Sequence, residues 1–151
     1  MTSLTPAYPK QFTFYHPIAV RYADLDTHRH VNNISVLEYV ETARTAYYQA
    51  AGIWDGVTVE NMGMVVVSVK CDYLESICFD QSVRVGLTLD SIGTKSLRFR
   101  FQVEDGEGTR AFARGDVVMV SYDHFEGHSR PVSAEWRHKL AAFENREDFL
   151  A

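Results

Sequence analysis

The chain has 151 residues, of which 46% are hydrophobic and 23% are charged, and its formal net charge is −5. These values are typical of a folded protein with one core, so we expect a single domain over residues 1–151. The chain has no Lys/Arg-rich block, no membrane-length apolar run and no signal-peptide pattern at its start, which argues against nucleic acid or membrane as partner and favours a cytoplasmic location.

Alternating apolar residues between Phe14 and Tyr22 predict the first strand. Pro17 withholds a backbone N–H within it, which favours an edge position or a bulge. A dense polar loop follows directly, and no other stretch crowds carboxylates, imidazoles and amides together in this way. Its polar members are Asp24, Asp26, His28, His30, Asn32 and Asn33.

The polar loop runs straight into the longest predicted helix. Apolar residues recur there at three- and four-residue steps from Leu37 to Ala50, and Gly52 is a suitable C-terminal cap. The sequence allows two positions for the start of this helix. Asn32 or Asn33 can cap the first turn, and Ser35 with Glu38 three residues later forms a capping box.

After a loop at residues 53–62, the apolar period changes from helical to two. The alternation predicts four strands, at residues 64–73, 83–89, 97–104 and 111–122. The first of these has one apolar and one mixed face, whereas the last is apolar on both faces and is expected at the centre of the sheet or beneath a partner. A short helix over residues 133–143, capped by Ser133 or by the turn at Pro131, completes an α+β architecture with a mostly antiparallel sheet of about five strands.

The position of the polar loop suggests chemistry. The first turn of a helix presents unpaired N–H groups and a partial positive charge, which suit a carbonyl oxygen that is becoming an oxyanion. Asp26 could then act as a base or nucleophile, although an aspartate in such a loop can also simply form an Asx turn. His28 and His30 lack a convincing third ligand, and Cys71 and Cys78 have no zinc-type spacing, so we expect no metal and reduced thiols.

The motif RYADLDTHRHVNN running into LEYVETAR, with this order of elements, resembles the hotdog-fold thioesterases of the 4-hydroxybenzoyl-CoA thioesterase type. The resemblance extends over about residues 14–143 and is most specific over residues 22–38. It implies a hotdog fold, in which a curved antiparallel sheet wraps a long central helix. It also implies a homodimer or homotetramer with active sites at the subunit interface.

The resemblance also assigns roles to individual residues. Asp26 matches the catalytic carboxylate, and the backbone amide at Asn33 or Ile34 matches the donor that polarises the thioester carbonyl. Lys95 and Arg130 fall near positions that bind the nucleotide end of coenzyme A. The ending HVNN is closer to the acyl-ACP thioesterases, in which a loop Asn and His take part in catalysis. His30 matches that His, but His28 stands at the position of the Asn.

The activity implied by the resemblance is hydrolysis of an acyl-CoA or acyl-ACP thioester, with no cofactor beyond the coenzyme A of the substrate. Asp26 would act as general base on water or attack the thioester directly. One alternative is a non-catalytic hotdog module that binds acyl thioesters, and another is a hotdog hydratase or dehydratase. Glu41 on the central helix is expected to be structural, because related enzymes that use a helix glutamate usually lack the loop aspartate.

Overall fold

The computed structural model describes residues 11–151, so the first ten residues of the expected domain lie outside the described range. Two helices, α1 (Asn33–Ala51) and α2 (Ala134–Glu144), are present, with single 3-10 turns at Tyr22–Asp24, Val59–Asn61 and Glu147–Leu150. The strands are β1 (Phe14–Ile18), β2 (Met64–Tyr73), β3 (Val83–Ile92), β4 (Ser96–Asp105), β5 (Ala111–Asp123) and β6 (His128–Ser129).

All the strands belong to one antiparallel sheet in the order β1-β3-β4-β5-β2, with the short β6 paired to β5. This confirms the predicted α+β architecture and the central position of β5. The strand of Pro17 lies at one edge, as the missing N–H predicted, and β2 lies at the other.

Helix α1 packs against β1, β3 and β4. Its start is fixed by Asn32, whose side chain accepts the N–H of Ile34 at 2.9 Å, rather than by the alternative capping box. Gly52 ends it with a φ of +81°, a left-handed conformation that glycine adopts without a Cβ clash. Ser133 caps α2 as predicted, accepting the N–H of Trp136.

The core lies between α1 and the inner face of the sheet. Tyr47 of α1 is fully buried and makes edge-on ring contacts with Phe99 and Phe143, with ring centroids 5.1 and 4.9 Å apart. The clean alternation in β3 and β4 gives one fully buried row on each strand. These rows are Val85, Leu87 and Leu89 on β3, and Leu97, Phe99, Phe101 and Val103 on β4.

Two strand predictions differ from the structure. The first strand ends at Ile18 rather than Tyr22, because Tyr22 opens a 3-10 turn. Strand β2 was predicted to have one apolar and one mixed face, yet Val67, Val69 and Tyr73 of the apolar face are all about half exposed. The reason is that β2 is an edge strand and carries a bulge between Val66 and Ser68, which breaks the register of its alternation.

Candidate active site

The polar loop is a tight reversal closed by a bridge between Leu25 and Val31. Inside it, the Asp26 N–H donates to the His30 carbonyl at 2.9 Å, and the Arg29 N–H donates to the Asp26 carbonyl at 3.0 Å. Arg29 adopts a φ of +63°, a left-handed conformation that non-glycine residues seldom take. Backbone hydrogen bonds therefore set the position of the Asp26 side chain.

The loop is also tied to the segment that follows β2. The Val31 N–H donates to the Ile77 carbonyl at 2.9 Å, and His30 forms a bridge with Cys78. The ends of the polar loop and of β2 consequently meet at the first turn of α1.

Asp24 is a buried anchor of the loop. Its carboxylate accepts hydrogen bonds from the Arg21 guanidinium at 2.8 Å and from the Tyr39 hydroxyl at 2.6 Å, and its carbonyl accepts the Asn32 N–H. Burial opposes ionisation of this group, but the hydrogen bonds from Tyr39 and Arg21 outweigh it and hold the pKa of Asp24 below its ordinary value. Because its oxygen atoms already accept hydrogen bonds from Arg21 and Tyr39, the Asp24 carboxylate fixes the shape of the loop.

Asp26 has very different surroundings. Its Oδ1 accepts the His28 N–H at 2.8 Å and the His30 N–H at 3.4 Å, which is the Asx-type turn expected of a loop aspartate. Within residues 11–151, Oδ2 receives no hydrogen bond. The side chain is exposed, so one carboxylate oxygen organises the loop while the other is available to a ligand.

The first turn of α1 supplies the second polar feature. Because Asn32 caps the Ile34 N–H, that donor is occupied, whereas the Asn33 N–H has no acceptor in the described part of the chain. The Tyr73 hydroxyl at the end of β2 donates to the Asn33 carbonyl at 3.2 Å. Of the two amides predicted as oxyanion donors, only that of Asn33 is free to bind a ligand.

A cleft of about 370 Å³ brings the predicted catalytic residues Asp26, His30 and Asn33 together, and His28 also lines it. Its opposite wall comes from Tyr73, Glu75 and Phe112, which the sequence did not single out. No local pattern marks those residues, because they reach the cleft through the pairing of β2 with β5, where Tyr73 lies opposite Ala113. Asp26 also borders a second cleft of about 480 Å³, beside the exposed rings of Tyr22 and Phe79.

The predicted substrate-binding residues lie elsewhere on the chain. Ile34 lines a separate groove beside α1. Lys95 donates to Ser129 at 3.1 Å, and Arg130 lies 3.6 Å from the Asp123 carboxylate, both near Ser121 of β5. Ser121 is nine residues from Phe112, the residue of β5 that lines the cleft, which corresponds to about 30 Å along a strand.

Cys71 and Cys78 are free thiols. Over residues 11–151, no three His, Cys, Asp or Glu side chains are grouped so as to hold a metal ion. Neither α1 nor α2 is long and apolar enough to cross a bilayer.

A family model described as the Thioesterase-like superfamily matches residues 20–142. Among solved structures, a thioesterase from Thermus thermophilus, crystallised with coenzyme A and Zn, is 32% identical with a TM-score of 0.79, over 89% of this chain and 97% of that one. The protein PA5185 of Pseudomonas aeruginosa is 28% identical with a TM-score of 0.76, over 89% and 94%. The uncharacterised protein YsmA of Bacillus subtilis is 30% identical over 118 residues, 77% of each chain. These similarities confirm the predicted hotdog fold.

Proposed function

The chain belongs to the Thioesterase-like superfamily, and on that basis we propose that it hydrolyses an acyl-CoA thioester to a free acid and a thiol. One observation carries the proposal: the Asp26 carboxylate, with one oxygen uncommitted, and the unaccepted Asn33 N–H line the same cleft. An uncommitted carboxylate can serve as general base or nucleophile and an uncommitted amide donor can stabilise the oxyanion, which supports hydrolysis of a thioester here.

In the proposed reaction, the thioester carbonyl oxygen accepts the Asn33 N–H at the positive end of the α1 dipole. Asp26 removes a proton from a water molecule, the water oxygen bonds to the acyl carbon, and the carbon–sulfur bond breaks. The thiolate is a good leaving group and takes up a proton after it departs. Alternatively, Asp26 bonds to the acyl carbon directly, and water then hydrolyses the resulting anhydride. The His30 side chain, in the same cleft, is an auxiliary polar group in either route.

The choice of coenzyme A as carrier is supported by the Thermus relative, which binds it. Lys95 and Arg130 lie at the opposite end of β5 from the cleft, so in our proposal they act on the substrate of a second chain. We propose that two copies pair through antiparallel β2 edges, because this places the Lys95 end of one sheet beside the Tyr73 end of the other. The two cations of one copy then lie near the cleft of its neighbour, where they bind the nucleotide end of the substrate.

The deciding experiment measures thiol release from short, long and aromatic acyl-CoAs by the wild-type protein and Asp26→Asn. We expect the variant to lose at least about 100-fold in kcat/KM, since general bases typically contribute that much. Asp80→Asn, which removes an exposed carboxylate after β2, is the matched control and is expected to retain activity. Equal rates for Asp26→Asn and the wild type would exclude the role of Asp26. Wild-type protein inert on acyl-CoA and acyl-ACP alike would exclude the activity and favour a binding module.

A single turnover in H₂¹⁸O, with enzyme in excess, separates the two routes. Incorporation of ¹⁸O into the peptide that contains Asp26 indicates an anhydride, because water then attacks the side-chain carboxyl carbon. Label found solely in the product acid, in a protein that releases thiol normally, favours the general-base route.

A further inference from the structure

Helix α1 carries a cation in the protein interior. Arg44 is only 7% exposed, and its Nη1 donates to the Met119 sulfur at 2.9 Å. Its Nε atom has no hydrogen-bond acceptor, and no carboxylate of the described residues lies within 4.0 Å of its nitrogen atoms. A buried charge without a counter-ion is costly, so a protein that keeps one there normally has something to bind to it.

Tyr48 lies one helical turn after Arg44, and it also lacks a hydrogen-bond partner. It is 2% exposed, and its hydroxyl has no partner in the part of the chain that the structure describes. Burial raises the pKa of Tyr48 to about 12, although the nearby Arg44 cation acts to lower it. A guanidinium and a hydroxyl therefore lie side by side with hydrogen-bonding capacity left over.

Two cavities meet at this pair. One of about 290 Å³ runs along α1 from Ile34 to Arg44 and is walled by Val66, Val69 and Val117. The other, of about 150 Å³, continues from Arg44 to Tyr48 between methionine side chains. Together they have the volume of a small-molecule pocket, and their walls are mostly apolar. Glu41 lines both cavities and Glu38 lines the first, and the hydrogen-bond donors at the far end are the Arg44 guanidinium and the Tyr48 hydroxyl.

The groove and the cleft share no lining residue, but neighbouring residues at the start of α1 line them: Asn33 lines the cleft and Ile34 lines the groove. Ile34 follows Asn33, whose N–H is the proposed oxyanion donor, and Arg44 lies eleven residues further along the helix. Eleven residues of helix span about 16 Å. An acyl chain that starts at the carbonyl on Asn33 and lies along α1 would therefore carry its far end to Arg44.

We propose that Arg44, assisted by Tyr48, binds a carboxylate at the far end of the acyl chain, which makes the substrate an ω-carboxyacyl thioester. A guanidinium matches a carboxylate with two parallel hydrogen bonds, and the valine and methionine walls suit the methylene groups between. At about 1.2 Å per chain bond, and allowing for the length of the arginine side chain, the span corresponds to roughly 8–12 carbons. The proposal rests on the thioesterase function given above.

The test uses two thioethers of coenzyme A that cannot be hydrolysed, S-decyl-CoA and S-(9-carboxynonyl)-CoA. Calorimetric titration of the wild-type protein is expected to show at least tenfold tighter binding of the carboxylate ligand. In Arg44→Met, this preference disappears, while S-decyl-CoA binds as well as before or better. Tyr48→Phe reduces the preference several-fold. Arg98→Met, which removes an exposed arginine on β4, serves as the control and leaves it unchanged.

Arg44→Met is expected to fold, because an apolar side chain of similar length replaces an unpaired buried charge. Should it not fold, Arg44→Lys, which keeps the charge without the planar fork, must weaken binding of the carboxylate ligand at least threefold with S-decyl-CoA unaffected. Equal affinities of the wild type for the two ligands overturn the proposal. It is likewise overturned if Arg44→Met dissociates the oligomer without changing the ligand preference, because Arg44 then binds a carboxylate of a second copy.

Because the two thioethers are not hydrolysed, the result is independent of catalysis. If the wild-type protein prefers the carboxylate ligand but releases no thiol, the result supports the carboxylate site and excludes the proposed enzymatic activity. If the protein hydrolyses acyl-CoA but binds both thioethers equally, the result supports the enzymatic activity and excludes the carboxylate site.

Discussion

Asp24 and Asp26 lie two residues apart in one loop, yet only one of them is available to a ligand. The carboxylate of Asp24 is buried and fully engaged by Arg21 and Tyr39, whereas Asp26 commits a single oxygen to the loop backbone. The bonds of Asp24 join the 3-10 turn to α1, so the rigidity of Asp24 positions Asp26.

Tyr39→Phe tests the anchoring role of Asp24. The variant loses a hydrogen bond to an ionised group, so the free energy of unfolding at pH 7 is expected to fall by about 1.5–3 kcal/mol. Since the folded-state pKa of Asp24 is lowered, its contribution is fully present above about pH 4 and is lost as the pH falls through that folded-state pKa. The difference between variant and wild type should therefore shrink in acid.

Urea denaturation between pH 3 and pH 7 measures this effect. Tyr22→Phe alters a tyrosine that is 82% exposed and is expected to change stability by less than about 0.5 kcal/mol at every pH. A Tyr39→Phe difference that stays constant across the range would show that Tyr39 does not act through the Asp24 carboxylate.

At this scale, the sequence predicts what depends on near neighbours. The polar loop, the Asx turn and the caps at Asn32, Gly52 and Ser133 are all set by residues within four positions. The loop and the Gly52 cap were predicted outright, and the Asx turn, Asn32 and Ser133 were each among the alternatives that the sequence left open. Arg44 was not singled out, because a helical period places an arginine beside core positions without showing whether its nitrogen atoms reach water. Whether the nitrogen atoms of Arg44 reach water depends on packing against Met119, which is 75 residues away in the sequence.

Helix α2 docks on the sheet through one buried carboxylate. Glu144 accepts the Tyr47 hydroxyl at 2.6 Å, the Leu89 N–H at 2.8 Å and the Thr13 hydroxyl at 2.6 Å. These partners belong to α1, to β3 and to the residue before β1. One acceptor thus joins four segments that contribute to the core.

Glu144→Ala leaves the Tyr47 hydroxyl and the Leu89 N–H without an acceptor in the interior. At about 1–3 kcal/mol for each buried unsatisfied donor, the free energy of unfolding should fall by about 2–6 kcal/mol. Glu144→Gln keeps one acceptor oxygen and is expected to cost less. Glu135→Ala removes an exposed glutamate from the same helix, and its loss should be below about 1 kcal/mol. Denaturant unfolding measures both variants. Equal decreases in the free energy of unfolding for Glu144→Ala and Glu135→Ala would contradict the role of Glu144 as a buried acceptor that joins these segments.

Elements were predicted well where one face is clearly buried. Strands β3 and β4 alternate cleanly because their inner faces pack on α1, and the predicted positions of β3, β4 and β5 agree with the structure to within a few residues. Strand β2 was predicted at the right residues, 64–73, but its apolar face did not indicate that the valines are half exposed. Its burial depends on sheet order and on a bulge, and neither is encoded by the alternation itself.

At the scale of the whole molecule, the main feature is the edge of β2, with which no strand of residues 11–151 pairs on its outer side. Val67 is 57% exposed and lies at the bulge, and unpaired N–H and C=O groups accompany it along an apolar strand. Edges of this kind invite pairing with another strand, and the proposed dimer covers both copies of the edge at once.

Val67→Lys is expected to weaken that dimer at least tenfold, because like charges then meet across the paired edges. Sedimentation velocity over a range of protein concentrations measures the change. Val57→Lys, in the loop before β2, alters a valine that is 83% exposed and should leave the oligomeric state as it is. If Val67→Lys associates like the wild type, the chains are joined through another surface. Loss of thioesterase activity in step with dissociation would support a cleft completed by the second copy.

Two valines of β2 belong both to the groove along α1 and to the proposed dimer interface, and this has a consequence for regulation. Val66 and Val69 wall the groove along α1, and they also belong to the edge of β2 through which we propose that two chains pair. Ligand binding and self-association are then thermodynamically linked: a ligand that tightens the dimer by some factor is itself bound tighter by the dimer by that same factor. Dilution of the protein should therefore lower its apparent affinity for a long acyl chain even when every residue of the groove is intact.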